Sequence, residues 1–445
     1  MMTAIMFAYK KLENVKMSVE SFRRFCDEDI SFVLVDDGSV EELQGWAKEQ
    51  ADLTYVFLDE GQVGYGKGIN LVRNELQVRG DLLLIEEGFL LTPGCLGRMT
   101  DALYEEDGIG AAGGVVNDAL YRQTIPSHIS SYQELIDGGG GIDEGIMAGR
   151  KAAVMLYSGV VLWKGSAMDA VGEFDENLRG MFSVINDYCL RMVMADKKLT
   201  VCQDACFWNA DEGNRMACKE DIAVLERKWG MHYFNGCYND ALISLIEEEQ
   251  EAEISVLEIG CDCGASLLEI RNRFPNARLY GSEINAKAAQ VASHFAQVAV
   301  NNIEEKNLPF SGEKFDYILF GDVLEHLHSP LDALVYCREL LGEEGCVLAS
   351  IPNLMHISVM EEILRGDFTY RESGLLDKTH IHFFTYNEML RMFQEAGYEI
   401  GKIVINRYPM SDRQEQLTEA LLALDGRAER FMYETFQYIV TAKRI

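Results

Sequence analysis

Glu258, Gly260, Asp262 and Gly264 alternate through Val256-Leu257-Glu258-Ile259-Gly260-Cys261-Asp262-Cys263-Gly264, where an apolar run gives way to a turn bracketed by glycines. Apolar residues at 256, 257 and 259 predict a strand covered on both faces, and the glycines let backbone pass close to a ligand. A dinucleotide site wants G-x-G-x-x-G, so that amides and a helix N-terminus can hold a pyrophosphate. This loop lacks that spacing and carries Asp262 at its middle position. A carboxylate there repels phosphate, accepts hydrogen bonds from a cationic amino-acid head group and tolerates left-handed backbone. The chemistry implied is that of a small charged cofactor without phosphates.

Further acids and two histidines recur at the ends of the elements that follow. A helix over 265–274 closes at Pro275, and Arg278 to Glu283 reads as a second strand ending in an acid, with Ile284 beside it. An acid about twenty residues past the loop is placed to bind two ribose hydroxyls. A third short strand ends at Asn302-Ile303, an amide and an apolar side chain for an adenine ring. Phe315 to Asp322 is a fourth strand, and Val323-Leu324-Glu325-His326 opens the helix after it. A fifth strand runs over 345–353, and 355–385 is an irregular aromatic insert carrying Asp377-Lys378-Thr379-His380. The segment then alternates helix and strand to a final strand at 436–441.

Taken alone, the glycine loop fits any doubly wound domain. Glu258-x-Gly260-x-Asp262-x-Gly264, the strand-end Glu283 and Asp322-x-Leu324-Glu325-His326 in this order resemble a class I S-adenosylmethionine-dependent methyltransferase over residues 253–445. The resemblance implies a Rossmann-like, seven-stranded sheet closed by an antiparallel hairpin. It implies S-adenosylmethionine held by Glu258, Gly260, Asp262, Gly264, Glu283, Ile284, Asn302, Ile303, Asp322 and Glu325. Gly374-Leu375-Leu376-Asp377-Lys378-Thr379-His380 also resembles methyltransferases of bacterial surface-glycan gene sets, which points to a sugar hydroxyl. A neutral hydroxyl gains from a general base, and His380 or His326 is the candidate at neutral pH. The plainer readings are that His380 hydrogen-bonds Asp377 and that His326 packs beneath the cofactor.

In the first half, strands are expected at 4–8, 31–35, 55–58 and 81–87. Acids at the carboxyl end of parallel strands sit where open α/β sheets bind ligands, and Asp36-Asp37-Gly38-Ser39 also serves as a helix-capping turn. Val35-Asp36-Asp37-Gly38-Ser39, the glycine-rich run at 64–70, Glu86-Glu87, Pro93-Gly94 and Gly172-Glu173-Phe174-Asp175-Glu176 resemble a family 2 glycosyltransferase with a GT-A fold over residues 2–230. That resemblance implies a nucleotide-sugar at Ala8, Tyr9, Asp36, Asp37, Lys67 and Asn70, and Mg2+ or Mn2+ at Glu86 and Glu87. The family's paired acids and late histidine have no match: Val184 and Ile185 stand at the acid pair, leaving Asp187 as the candidate base. Either this half turns over a nucleotide-sugar, or it keeps the fold and binds a nucleotide-sugar or glycan without turnover. Asn117 to Arg150, with its glycine run at 138–141, is expected as a loop over the acceptor side.

The chain has 445 residues, 72 acidic against 40 basic, for a formal net charge of -32. Such a charge disfavours nucleic acid or an anionic membrane as partner. Eleven scattered cysteines read as reduced thiols, and no apolar run reaches membrane-spanning length. The expectation is a cytoplasmic α/β protein: a GT-A-like domain at 1–235, a helical linker at 236–252 and a methyltransferase domain at 253–445. Its acceptor would be a bacterial surface glycan, or a glycolipid or protein-linked precursor.

Overall fold

The structure, a computed structural model, describes residues 2–9, 11–26, 30–36, 42–58, 64–121, 123–125, 129–138, 149–157, 159–211, 219–230, 236–310, 312–424 and 426–445. Two compact units emerge, Met1–Tyr238 and Asn239–Ile445. Asp37 and most of the glycine run at 138–141 lie outside the described residues.

The first unit is built on strands β1 (Met2–Ala8), β2 (Ile30–Asp36), β3 (Thr54–Phe57), β4 (Leu82–Glu86), β5 (Phe89–Leu91), β6 (Ile109–Val116), β7 (Arg150–Ala153), β8 (Val160–Trp163) and β9 (Lys198–Asn209). They order as β3-β2-β1-β4-β8-β6-β9-β5, with β7 against β9. β1 to β4 pair in parallel, and antiparallel pairing begins where β4 meets β8. β1, β4 and β6 are buried along their whole length, as continuous apolar runs require when helices cover both faces. Within the expected acceptor-side loop, Thr124 bridges to Val116, and Tyr132–Asp137 is a short helix capped by Ser131.

In the second unit, β10 (Ser255–Ile259), β11 (Arg278–Glu283), β12 (Gln297–Val300), β13 (Phe315–Gly321), β14 (Leu341–Pro352), β15 (Tyr398–Arg407) and β16 (Thr435–Arg444) order as β12-β11-β10-β13-β14-β16-β15. The first five are parallel, and β16 inserts antiparallel between β14 and β15. Chain direction through the sheet reverses between β10 and β13, the switch point at which open α/β sheets bind ligands. Phe315, Phe320, Phe393, Tyr398 and Tyr438 fill the core beneath it.

Two expectations change. Residues 239–252 are not a linker: Asn239 caps the helix Asp240–Ile243, donates to Ser350 Oγ at 3.2 Å, and Leu242 and Ile243 are buried in the second unit. Leu324–His326 does not open the next helix but forms one isolated 3-10 turn, and a separate helix starts at Pro330. Proline at a helix's first turn explains the fresh start.

Candidate active site

At the end of β10 the chain turns through Gly260 (φ 69°), Asp262 (φ 47°) and Gly264 (φ 82°). A Cβ at Gly260 would stand 2.8 Å from Val323 Cγ2, so the loop lies directly against the segment leaving β13. Gly264 N donates to Cys261 O at 2.8 Å and closes the turn into the helix Ala265–Arg273.

Glu283 ties this loop to β11. Its Oε2 accepts from Asp262 N at 2.9 Å and its Oε1 from Asn285 N at 2.7 Å. A carboxylate offers about four lone-pair sites, so two amides leave room for a pair of ribose hydroxyls. Ile284, next along, is 71 % exposed, an apolar surface at the lip of the loop. Ile303 is not such a surface: it is 4 % exposed, packed with Leu257 and Tyr280 in the core. Asn302 Oδ1 accepts from Glu304 N at 3.0 Å and caps the short turn there. Between these two isoleucines, the exposed one is the side chain able to meet an adenine ring.

Glu258 is buried, and its Oε2 has no hydrogen-bond partner among the described residues. Burial, with Asp262 and Glu283 adding repulsion, pushes its carboxyl up to about 8. Burial and then the Glu283 charge push Asp262 up to about 7. A buried carboxylate with one oxygen unpartnered among the described residues, a second acid in left-handed backbone and a third with spare lone pairs suit a ligand with an ammonium group and a ribose. The residues therefore fit S-adenosylmethionine.

These shifts set a pH dependence. An acid whose folded pKa is raised stabilises the fold below its ordinary value, and that contribution is lost as pH rises through the raised one. The protein without cofactor should lose stability between about pH 4.5 and 8 as Glu258 and Asp262 ionise, and a cationic ligand favours their ionised forms. S-adenosylmethionine affinity is thus expected to rise about tenfold from pH 6 to 8.5, with protons released on binding. Calorimetry in buffers of different ionisation enthalpy checks this; proton uptake would count against it.

The second cluster forms where β13 ends. Asp322 (φ 56°) donates its amide to Ser350 Oγ at 2.9 Å, and its Oδ1 accepts from Ser350 and Gln437. Glu325, expected at the cofactor, lies beside two histidines. It is 0 % exposed, and neither carboxylate oxygen has a hydrogen-bond partner among the described residues. His380 Nε2 stands 3.9 Å from Glu325 Oε1, and the His326 and His380 rings meet edge to face at 4.8 Å. Burial and the neighbouring Asp322 push Glu325 up to about 8. Burial first, then His326, pushes His380 down.

Backbone hydrogen bonds hold these distant residues together. Ile381 N and His382 N both donate to Glu325 O at 3.0 Å, which staples the insert onto the 3-10 turn. His326 Nδ1 lies 3.2 Å from Thr379 O, and His380 Nδ1 lies 3.3 Å from Leu375 O. A carbonyl only accepts, so each Nδ1 carries the proton and each Nε2 keeps its lone pair. Asp377 does not hold the His380 ring: its Oδ1 accepts from Thr379 N and Oγ1, and its backbone O accepts from His380 N.

In the first unit the structure redirects several expected roles. Glu87 gives both carboxylate oxygens to backbone amides, Tyr9 N at 2.8 Å and Lys11 N at 3.1 Å, and is 0 % exposed. It fixes the loop after β1 rather than presenting itself to a cation. Glu86 is also buried and accepts from Tyr9 Oη at 3.2 Å. The Asn70 side chain exchanges hydrogen bonds with Phe174 N and O and reaches Glu176, clamping the segment at 172–176. Asp187 is 0 % exposed, accepts from Trp229 Nε1 at 2.8 Å and pairs with Lys228 Nζ at 2.7 Å. A carboxylate so enclosed is a structural anchor, not a base open to a substrate hydroxyl. Ala8 is buried, Asp36 accepts from Tyr55 Oη at 2.6 Å, and Tyr9 and Lys67 are half-buried around the carboxyl ends of these strands.

Known proteins place the second unit. Residues 231–403 match the family described as "Methyltransferase domain". A ubiquinone biosynthesis O-methyltransferase of Cereibacter sphaeroides is 31 % identical over 189 residues, covering 38 % of this chain and 73 % of that protein. Among solved structures, a methyltransferase of Thermotoga maritima, described as a possible histamine N-methyltransferase, aligns with a TM-score of 0.33 and 16 % identity over 46 % of this chain and 86 % of that one. A mannosyltransferase of Pyrobaculum calidifontis in complex with GDP-Man and Mn2+ aligns with a TM-score of 0.36 and 12 % identity over 51 % of this chain and 60 % of that one.

Proposed function

The chain belongs, through its second unit, to the S-adenosylmethionine-dependent methyltransferases, and from that we propose that it methylates an oxygen of a polyhydroxylated acceptor, a sugar of a bacterial surface glycan or its lipid- or protein-linked precursor, on the cytoplasmic side. The observation that carries the reading is the set Glu258, Asp262 and Glu283 around a left-handed glycine loop at the sheet's switch point. An oxygen acceptor is supported by the relative named as an O-methyltransferase.

The bound cofactor supplies an electrophilic methyl on a sulfonium. What the residues of this chain add is placement and proton handling. Glu283 and the loop would hold the ribose, Glu258 and Asp262 would meet the cationic end, and Ile284 would lie against the base. The cluster of Glu325, His326 and His380 follows the end of β13, and on this reading an acceptor hydroxyl would be held there about 3 Å from the methyl and would give up its proton. His380→Gln keeps the ring's volume roughly and removes the Nε2 lone pair. It should cut methyl transfer about 100-fold while leaving cofactor affinity unchanged by calorimetry; an unchanged rate removes His380 from this role.

A sugar acceptor is supported by the first unit's likeness to nucleotide-sugar folds and by the glycan-type segment at 374–380. A phenolic acceptor is the second reading, favoured by the relative's name. For the first unit, the spent carboxylates of Glu87 and Asp187 favour binding of a nucleotide-sugar or glycan over sugar transfer. Labelled S-adenosylmethionine with cell-wall glycan extracts on one arm and simple catechols on the other decides the acceptor. Label entering catechols alone would defeat the glycan reading, and UDP- or GDP-sugar hydrolysis dependent on Mn2+ would restore sugar transfer.

A further inference from the structure

Three rings of the second unit stand together on the insert that carries His380. Phe368 and Tyr370 meet edge to face at 5.6 Å and 85°, and Phe383 lies 5.5 Å from the first and 6.3 Å from the second. Phe383 is also 6.2 Å from the His380 ring. The rings therefore run outward from the reacting cluster. Large aromatic side chains are ordinarily well buried, yet Phe368 is 40 % and Tyr370 54 % exposed.

Backbone contacts hold this surface in place. Phe383 packs against Val359, Leu375 and Leu376. Arg371 N, next to Tyr370, donates to Leu376 O at 2.8 Å, and Lys378 N donates to Arg371 O at 2.9 Å. Ile381 N and His382 N hold the following residues to Glu325 O. A surface tied on both sides positions a ligand better than a free loop does.

Its chemistry narrows the occupant. A small acceptor is normally enclosed over most of its surface, whereas Phe368 and Tyr370 form an open face. Phe383 stands at 76° to Phe368, so the rings leave no parallel slot for a flat aryl group. Arg365, Arg371 and Lys378, the lysine and arginines of 355–385, are each paired to a glutamate, and Asp367 and Asp377 add carboxylates. Phosphates and uronates are disfavoured there. Rings alternating with hydrogen-bonding side chains along Asp367-Phe368-Thr369-Tyr370 match a neutral pyranose, with C–H groups on its face and hydroxyls around its rim.

We propose that Phe368, Tyr370 and Phe383 form a second sugar subsite. A neutral sugar unit stacks on them while the neighbouring unit of the same glycan presents its hydroxyl to the cluster of Glu325, His326 and His380. The proposal rests on the methyl-transfer reading with a glycan acceptor and deepens it: the acceptor is an oligosaccharide or longer chain, not a single sugar. Phe368 and Tyr370 set specificity and take no part in proton transfer.

The test uses the intact chain and labelled S-adenosylmethionine, with a cell-wall glycan extract cut by mild acid and separated into monosaccharide and oligosaccharide fractions. At equal, limiting sugar the oligosaccharide fraction should take label at least about tenfold faster. Phe368→Ala and Tyr370→Ala should each slow that labelling about tenfold by raising KM, so that the rate recovers at saturating acceptor. Tyr370→Phe keeps the ring and should rescue the loss. S-adenosylhomocysteine should bind every variant with unchanged affinity, which shows that the variants fold. Monosaccharide and oligosaccharide labelled alike, or alanine variants that leave KM where it was, overturn the subsite alone. Label entering catechols and no sugar fraction overturns the glycan reading, and the subsite with it.

Discussion

Glu283→Ala is expected to lose S-adenosylmethionine binding by more than about 100-fold, the largest single effect in the second unit. Two charge-assisted hydrogen bonds to ribose hydroxyls are worth about 1.5 kcal/mol each or more, and that alone is about two decades of affinity. The substitution does further damage, because Glu283 also accepts from Asp262 N and Asn285 N. Without it the loop that aims Asp262 loses its tether to β11. Glu283→Gln keeps the size but turns one accepting oxygen into a donor that faces an amide, so it should fall nearly as far. Titration with S-adenosylhomocysteine measures this, since that ligand shares the ribose. Retention of wild-type affinity in the alanine variant would show that the ribose is held elsewhere.

Asp187→Ala should be the most destabilising change in the first unit. The carboxylate is completely buried between Trp229 Nε1 and Lys228 Nζ, with Arg191 at 3.6 Å. Removing one member of a buried ion pair costs about 3 kcal/mol or more, which for a unit of this size lowers its melting transition by about 6–12 °C. Lys228 keeps Asp175 as a partner, so the lower part of that range is expected. Scanning calorimetry should show the transition of the first unit move while cofactor binding by the second stays intact. An unshifted transition together with lost nucleotide-sugar turnover would return Asp187 to the role of base.

These expectations mark where sequence reading works and where it stops. The glycine loop, Glu283 and the strands around them are encoded within about thirty residues, and local pattern carries them. Ile284 and Ile303 are alike in type and both follow a strand. Which of them is exposed depends on how each strand end meets the core, and nothing local decides that. Glu86 and Glu87 show the same limit: adjacent acids at a strand end look like a cation clamp, yet Glu87 faces the backbone of residues 9–11. Asp187 is the acid that remains near the missing pair in the sequence, whereas its partners Lys228 and Trp229 come from another helix. The Glu325, His326 and His380 cluster was half visible. The residue types were noticed, but their meeting depends on two amides of the insert closing on Glu325 O. None of the ten described cysteines is joined in a disulfide.

That closure has a consequence for how this protein could be redesigned. Ile381 and His382 grip the turn through main-chain amides, and amides are indifferent to the side chains they carry. Exposed positions such as Phe368, Tyr370 and Ile381 can therefore be exchanged to admit a different acceptor without unfastening the reacting groups. Proline at 381 or 382 is the exception, since it would delete one of the two donors.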